Sequence, residues 1–226
     1  MNTEKKNLKE IMEHRIEKLN KIRRSGHNPY PYTFDKKDNI KDIINKSKVG
    51  DDTITAGRII SQRKMGKASF VHIQDDYEKI QLYLQTDNLP SNNYDDIVRN
   101  LDLGDIIGCS GHIFITKSKE LSIKANSITM LSKNLRPLPN IKEKDGSIFN
   151  AFEDKEIRYR HRQLDLIVNP IIKNIFRQRA LIINTIREFL NNNDYLEVET
   201  PVLQPIYGGA SARPFTTRHI SLDQML

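Results

Sequence analysis

The sequence predicts an α+β chain of more than one domain. A leading amphipathic helix comes first, then a small barrel of five strands, then a second region of helix and strand. The first observation behind this is periodicity: apolar residues recur at helical steps near the N-terminus, alternate through the middle, and return to helical steps from about residue 169. The second is size, because 226 residues allow one or two domains. The third is composition: 37% hydrophobic residues suffice for packed cores, and 29% charged residues mark a solvated surface.

Residues 3–25 read as the first helix. Leu8, Ile11, Met12, Ile16, Leu19 and Ile22 fall at three- and four-residue steps and form one apolar stripe. The other faces mix lysine and arginine with glutamate, and Gly26 can end the helix. Both a packed helix with a solvated face and an RNA-contacting helix fit this pattern. HNPYPYTF then imposes an extended, proline-stiffened passage. The first ten residues, MNTEKKNLKE, carry acids and no apolar core, unlike a signal or transit peptide.

Residues 53–132 change character. TITAGRIISQRK, ASFVHIQD, KIQLYLQT, GDIIGCSGHIFITK and ELSIKANSITML are β-rich runs separated by Gly, Asp and Asn signals. NYDDIVRNL offers one short helix between the third and fourth runs. That order is the pattern of an OB-fold barrel, in which a glycine of the fourth strand lets the backbone bend at a corner. Residues 133–168, with NLRPLPNIKEKDGS and the charged RYRHRQLDL, read as a connector. Asn169 is placed to cap a helix that starts at Pro170 and closes at NNND near 194. Its apolar set, Ile172, Ile175, Phe176, Ile183, Ile186, Phe189 and Leu190, predicts a broad buried face, and YLEVETPVL follows as a strand. The boundaries are therefore 1–50 for the helix and extended linker, 51–133 for the barrel, 134–168 for the connector and 169–226 for the second domain.

Composition narrows the chemistry. A net charge of +7 favours polyanionic partners, nucleic acid first among them, although a lysine-rich genome gives the same charge without such a partner. The lone cysteine, Cys109, excludes an internal disulfide and a thiolate zinc cluster and fits a reducing cytosol. No apolar run reaches transmembrane length.

OB-folds bind oligonucleotides on the face of their second and third strands. Side chains alternate along a strand, so if Val71 and Ile73 face the barrel interior, Phe70 and His72 face outward. An outward Phe70 can stack on an unpaired base, Gln81 in the third run offers a donor and an acceptor to a base edge, and Arg63 at the end of the first adds a fork of donors. Phe70 as a core residue is the other reading, and a one-residue slip in register exchanges the two.

KMGKASFVHIQD, QLYL, LDLGDIIG, TKSKELSI, LRPLP, RYRHRQLDLI, EVETPVL and GGASARPF occur in this order. Together they resemble the N-terminal half of a bacterial-type class II lysyl-tRNA synthetase, from about residue 5 to 226. The resemblance implies that the helix and OB-fold bind the tRNA anticodon. Arg63, Phe70 and Gln81 would surround the central uridine, and Glu120 would sit beside the wobble base. It implies that 169–194 plus EVETPVL is class II motif 1, with Pro201 as its marker proline at a homodimer interface. It further implies that 169–226 begins an antiparallel α/β catalytic domain, and that Gly208, Gly209 and Ala210 lie beside the bound amino acid. ARPF is the lysyl form of a stretch that reads differently in aspartyl and asparaginyl relatives, and Tyr207 stands where the family usually has proline.

The activity so implied is the attachment of lysine to tRNA(Lys) in the cytoplasm. Lysine attacks the α-phosphate of ATP with Mg²⁺ present, and the resulting lysyl-adenylate passes its lysyl group to the terminal ribose. The catalytic and metal-binding groups of the family belong to motifs 2 and 3, which this sequence does not contain. The expectation is therefore that no catalytic residue or metal ligand lies in this chain and that the 226-residue polypeptide does not aminoacylate alone. Two alternatives are a non-catalytic tRNA-binding module and an aspartyl- or asparaginyl-tRNA synthetase segment. The lysyl-transferring paralogue that modifies an elongation factor lacks a barrel like that of residues 53–132.

Overall fold

The computed structural model describes residues 8–76, 78–90, 93–139, 141–144, 147–150, 152, 154–203 and 215–226. It divides into two compact units, residues 1–160 and 161–226.

The first unit is built on a closed barrel with strand order β1-β2-β3-β5-β4. The strands are β1 (Asp52–Met65), β2 (Ala68–Gln74), β3 (Lys79–Gln85), β4 (Ile106–Ile115) and β5 (Leu121–Ser132). All five fall where alternation places them. β1 is long enough to serve two neighbours: its first half pairs with β4 and its second half with β2. A bulge between Ile59 and Ser61 turns it from one to the other, which strengthens the local twist as closure requires. β3 and β5 close the barrel in parallel. A second bulge, opposite Ser110 and Gly111, carries Asn126 as the extra residue and bends β5 against β4. A Cβ at Gly111 would fall 2.1 Å from the Lys124 carbonyl oxygen, so only glycine fits that corner.

The interior is a row of β-branched and leucine side chains, among them Ile59, Val71, Ile73, Leu82, Leu84, Ile107, Ile113 and Ile123. Cys109 belongs to this interior, and burial pushes its thiol up to about 12. The short helix α3 (Asn93–Asp96) and a following 3-10 turn cap one end through Tyr94, Ile97 and Val98, as expected between the third and fourth strands.

The N-terminal helix α1 spans Leu8–Arg24. It ends as a Schellman motif: Gly26 has φ +84°, His27 N donates to Ile22 O at 3.2 Å, and Gly26 N donates to Arg23 O at 3.0 Å. Only the C-terminal half of the expected stripe is buried, at Leu19 and Ile22, while Leu8 and Ile16 are exposed. Arg15 is buried instead and donates to the Asn134 carbonyl at 2.9 Å.

That contact belongs to a polar knot beneath the helix. Lys133, wholly buried, donates to Asp102 Oδ2 at 2.6 Å, Asp105 Oδ2 at 2.8 Å and the Asn100 carbonyl at 2.9 Å. Asp105 also accepts from the backbone N–H groups of Asp102 and Asn134, each at 2.8 Å. Burial raises the Asp105 carboxyl despite Lys133. Burial pushes Asp102 the same way, but hydrogen bonds from Lys133 and Lys18 outweigh it and hold that carboxyl low. Lys18 is on α1, so the knot ties the helix to the barrel end.

Two stretches carry more structure than expected. Within the linker, Ile40–Lys46 forms α2, burying Ile40 and Ile43. Seven residues give too short a period to stand out in sequence, and packing rather than propensity stabilises such a helix. The connector holds a hairpin of β6 (Ile141–Lys144) and β7 (Ser147–Asn150), whose intervening Asp-Gly pair is a hairpin signal, and then α4 (Lys155–Arg160).

The second unit begins with α5 (Arg162–Val168), which lies in the stretch read as connector, and continues with α6 (Pro170–Asn191). Pro170 opens α6 as expected, but Asn169 makes no side-chain cap and donates instead to Asp165 Oδ1 at 2.6 Å. The expected buried face of α6 is exposed, including Ile175, Phe176, Ile186 and Phe189. Residues 195–203 form no strand. A small pair, β8 (Arg218–His219) and β9 (Gln224–Met225), follows.

Lys133→Met is expected to cost about 3–5 kcal/mol, because it strands Asp105 in the interior without a counter-charge. Lys46→Met, which breaks the exposed Asp42 pair, is expected to leave the urea midpoint nearly unchanged. Urea unfolding of both variants checks the contrast. Cys109 is expected to resist an aromatic disulfide reagent at pH 8 in the native chain and to react fully in denaturant; rapid reaction in the native chain would contradict its placement.

Candidate nucleic-acid interface

The outer face of β1, β2 and β3 and the tip of the β4–β5 hairpin enclose a cleft of about 810 Å³. Pleating decides what lines it. Val71 and Ile73 are 0% exposed inside the barrel, so Phe70 and His72 emerge on the opposite face. Ile80, Leu82 and Leu84 do the same for β3, turning Gln81 and Tyr83 outward. Beyond the β1 bulge, Ser61 pairs with His72 and Arg63 with Phe70, which brings both to the same face.

Three aromatic rings form the apolar wall. Phe70 and Tyr83 have centroids 5.0 Å apart at an interplanar angle of 40°, and Tyr83 and Phe114 are 5.9 Å apart at 57°. Phe70 packs sideways on Tyr83 and still lines the cleft. A half-buried ring held by a neighbour is a preset surface for a flat apolar ligand, since stacking on it costs little further ordering.

The polar wall is one hydrogen-bonded chain. Ser61 Oγ lies 2.8 Å from His72 Nδ1, and His72 Nε2 lies 2.9 Å from Glu120 Oε1. Gln81 Nε2 donates to Glu120 Oε2 at 2.8 Å, and Ser122 Oγ donates to Gln81 Oε1 at 3.0 Å. Glu120 stands at the start of β5, where the hairpin tip is closed by Thr116: Glu120 N donates to Thr116 Oγ1 and Thr116 N to Glu120 O, each at 3.0 Å. Lys119, at φ +63°, makes the turn that brings the glutamate back over the sheet.

The structure therefore brings Arg63, Phe70, Gln81 and Glu120 to one cleft. It also couples two of them. Gln81 is only 8% exposed, and both ends of its amide are engaged. Arg63 is exposed and has no hydrogen-bond partner among the described residues. Gln62, on the neighbouring wall, has a buried Nε2 that also lacks one. Tyr83 and Phe114 went unread in the sequence. Parity could have found Tyr83, two residues from Gln81 on the same strand. The His72–Glu120 contact joins residues 48 apart, which no local pattern reveals.

Residues 53–131 match the family described as OB-fold nucleic acid binding domain, and residues 154–226 match tRNA synthetases class II (D, K and N). Over 92% of its length the chain is 44% identical to a curated lysine–tRNA ligase of Azobacteroides pseudotrichonymphae genomovar. CFP2. It is 44% identical over 99% of its length to that of Carboxydothermus hydrogenoformans. In both regions the chain is similar to class II lysyl-tRNA synthetases. It spans 44% of the length of each of these two relatives.

The barrel cleft juxtaposes aromatic rings with polar side chains able to donate and accept hydrogen bonds. Pro201 follows α6 in an exposed stretch outside helix and strand. Gly208, Gly209, Ala210 and the neighbouring Tyr207 lie outside the described residues. No group of three or more His, Cys, Asp and Glu side chains among the described residues is placed to hold a metal ion. No helix among them is long and apolar enough to cross a membrane.

Proposed function

We propose that this chain serves the ATP-dependent attachment of lysine to tRNA(Lys) through a lysyl-adenylate, and that its barrel cleft binds the anticodon. The observation that carries this reading is the row Phe70–Tyr83–Phe114 beside the anchored carboxylate of Glu120, on the strands with which OB-folds hold single strands. Phe70 stacks on the central base of the anticodon. The free guanidinium of Arg63 and the spare N–H of Gln81 meet its edge, and Glu120 accepts from the neighbouring wobble base. The net charge of +7 adds an attraction that is independent of sequence and sensitive to salt.

Pro201 and the exposed apolar face of α6 serve a homodimer interface in this reading, and Gly208, Gly209 and Ala210 border the lysine. An apolar helix face of this extent favours being covered. ATP and Mg²⁺ are the reaction's other requirements. The described residues offer no metal cluster, and we assign none of them to either. The place of action is the cytoplasm. The match to a family that spans aspartyl, lysyl and asparaginyl enzymes leaves aspartate and asparagine tRNAs as competitors, but both relatives named above are lysine–tRNA ligases.

Phe70→Ala is expected to weaken binding of a lysine anticodon stem-loop by about 1–3 kcal/mol while the melting temperature moves by only a few degrees. A large drop in melting temperature with a proportionate loss of binding would instead mark the ring as structural. In competition, aspartate and asparagine anticodon stem-loops are expected to displace the lysine one only at higher concentration; equal displacement would sink the lysine assignment.

A further inference from the structure

His72 is held at both ends of its ring. Glu120 can only accept, so Nε2 carries the proton of the 2.9 Å contact. Ser61 Oγ, 2.8 Å from Nδ1, either donates to that nitrogen or accepts from it, because a hydroxyl does both. The imidazole plane is thus fixed from the β1 side and directs one N–H at Oε1 of the glutamate.

Glu120 needs such a device. Its side chain is 44% exposed at a hairpin tip, against 27% for His72, and a glutamate in that position is free to turn among several rotamers. With His72 on Oε1 and Gln81 on Oε2, the carboxylate is held from two strands at once. A carboxylate has roughly four acceptor positions, so about two remain for a ligand, at a set angle to the aromatic wall. His72 lies on β2 two residues from Phe70, so the strand that carries the stacking ring also aims the acceptor.

We propose that Ser61 and His72 form a positioning couple that sets the Glu120 carboxylate for reading a nucleobase, so that His72 governs base discrimination without touching the base. This rests on the reading of the cleft as an anticodon site. Preorganisation of this kind acts on selectivity: a carboxylate locked in one orientation rewards a base that presents N–H groups there and penalises one that presents a lone pair. A carboxylate free to swing away penalises neither.

The test uses the purified full chain and two RNA stem-loops, one with the lysine anticodon and one with cytidine in place of its first uridine. The ratio of their dissociation constants is measured for the wild type, His72→Ala, His72→Asn and His72→Gln. A glutamine amide nitrogen reaches the place of Nε2 and keeps the bond to Glu120, whereas an asparagine reaches only the place of Nδ1. The ratio is expected to fall on the order of tenfold in His72→Ala and His72→Asn, and to stay within about threefold of wild type in His72→Gln. Melting temperatures of all variants are recorded alongside. An unchanged ratio in His72→Ala and His72→Asn, or a glutamine variant no better than alanine, overturns the proposal, whatever the melting temperatures do. Phe70→Ala, run in parallel, separates the failures. If it leaves affinity for both stem-loops untouched, the anticodon reading itself falls and the positioning couple falls with it.

Discussion

The two-residue period of β2 and β3 is the constraint on which the molecule's arrangement depends. Val71, Ile73, Leu82 and Leu84 fill the barrel, and each intervening side chain is thereby forced outward. The cleft is the other side of the core. A slip of one residue would bury Phe70 and His72 and expose two β-branched residues. Closure forbids that slip. β1 is shared between β2 and β4, β3 meets β5, and bulges at Ile59–Ser61 and opposite Ser110–Gly111 leave one way to join the ends. The core and the cleft are built from the same strands with opposite parity.

Two carboxylates illustrate how burial separates structural from available groups. Asp105 is sealed beneath α1, with Lys133 and two backbone N–H groups on it, and nothing outside the chain reaches it. Glu120 has two protein donors and stays half open to solvent. The first costs a great deal to break and serves to fix the helix on the barrel. The second gains little stability from its exposed contacts, and the proposed anticodon reading gives its organised surroundings a use.

The barrel was legible because alternation and turn residues are local. All five runs, the short helix before β4, and the parity of Phe70 and His72 follow from spacing alone. What escaped was either short or non-local. α2 has seven residues, and its reason to exist is the packing of Ile40 and Ile43. Arg15 reads as surface charge on α1 until Asn134 arrives from the far end of β5. Glu120 stands out only through family likeness, since its partners His72 and Gln81 come from other strands. YLEVETPVL has the composition of a strand, but composition supplies no ladder, and residues 195–203 form no strand. The same holds for α6, whose period gave the helix correctly and its burial wrongly.

Photocrosslinking tests the central claim most directly. A lysine anticodon stem-loop carrying 4-thiouridine at its central anticodon position is irradiated with the chain, and the adducts are mapped by mass spectrometry. The account predicts adducts in the peptides that carry Phe70, Tyr83 or Phe114, lost when unlabelled stem-loop competes. Competable adducts confined to α1 or to residues 161–226, with none in the barrel, would contradict it.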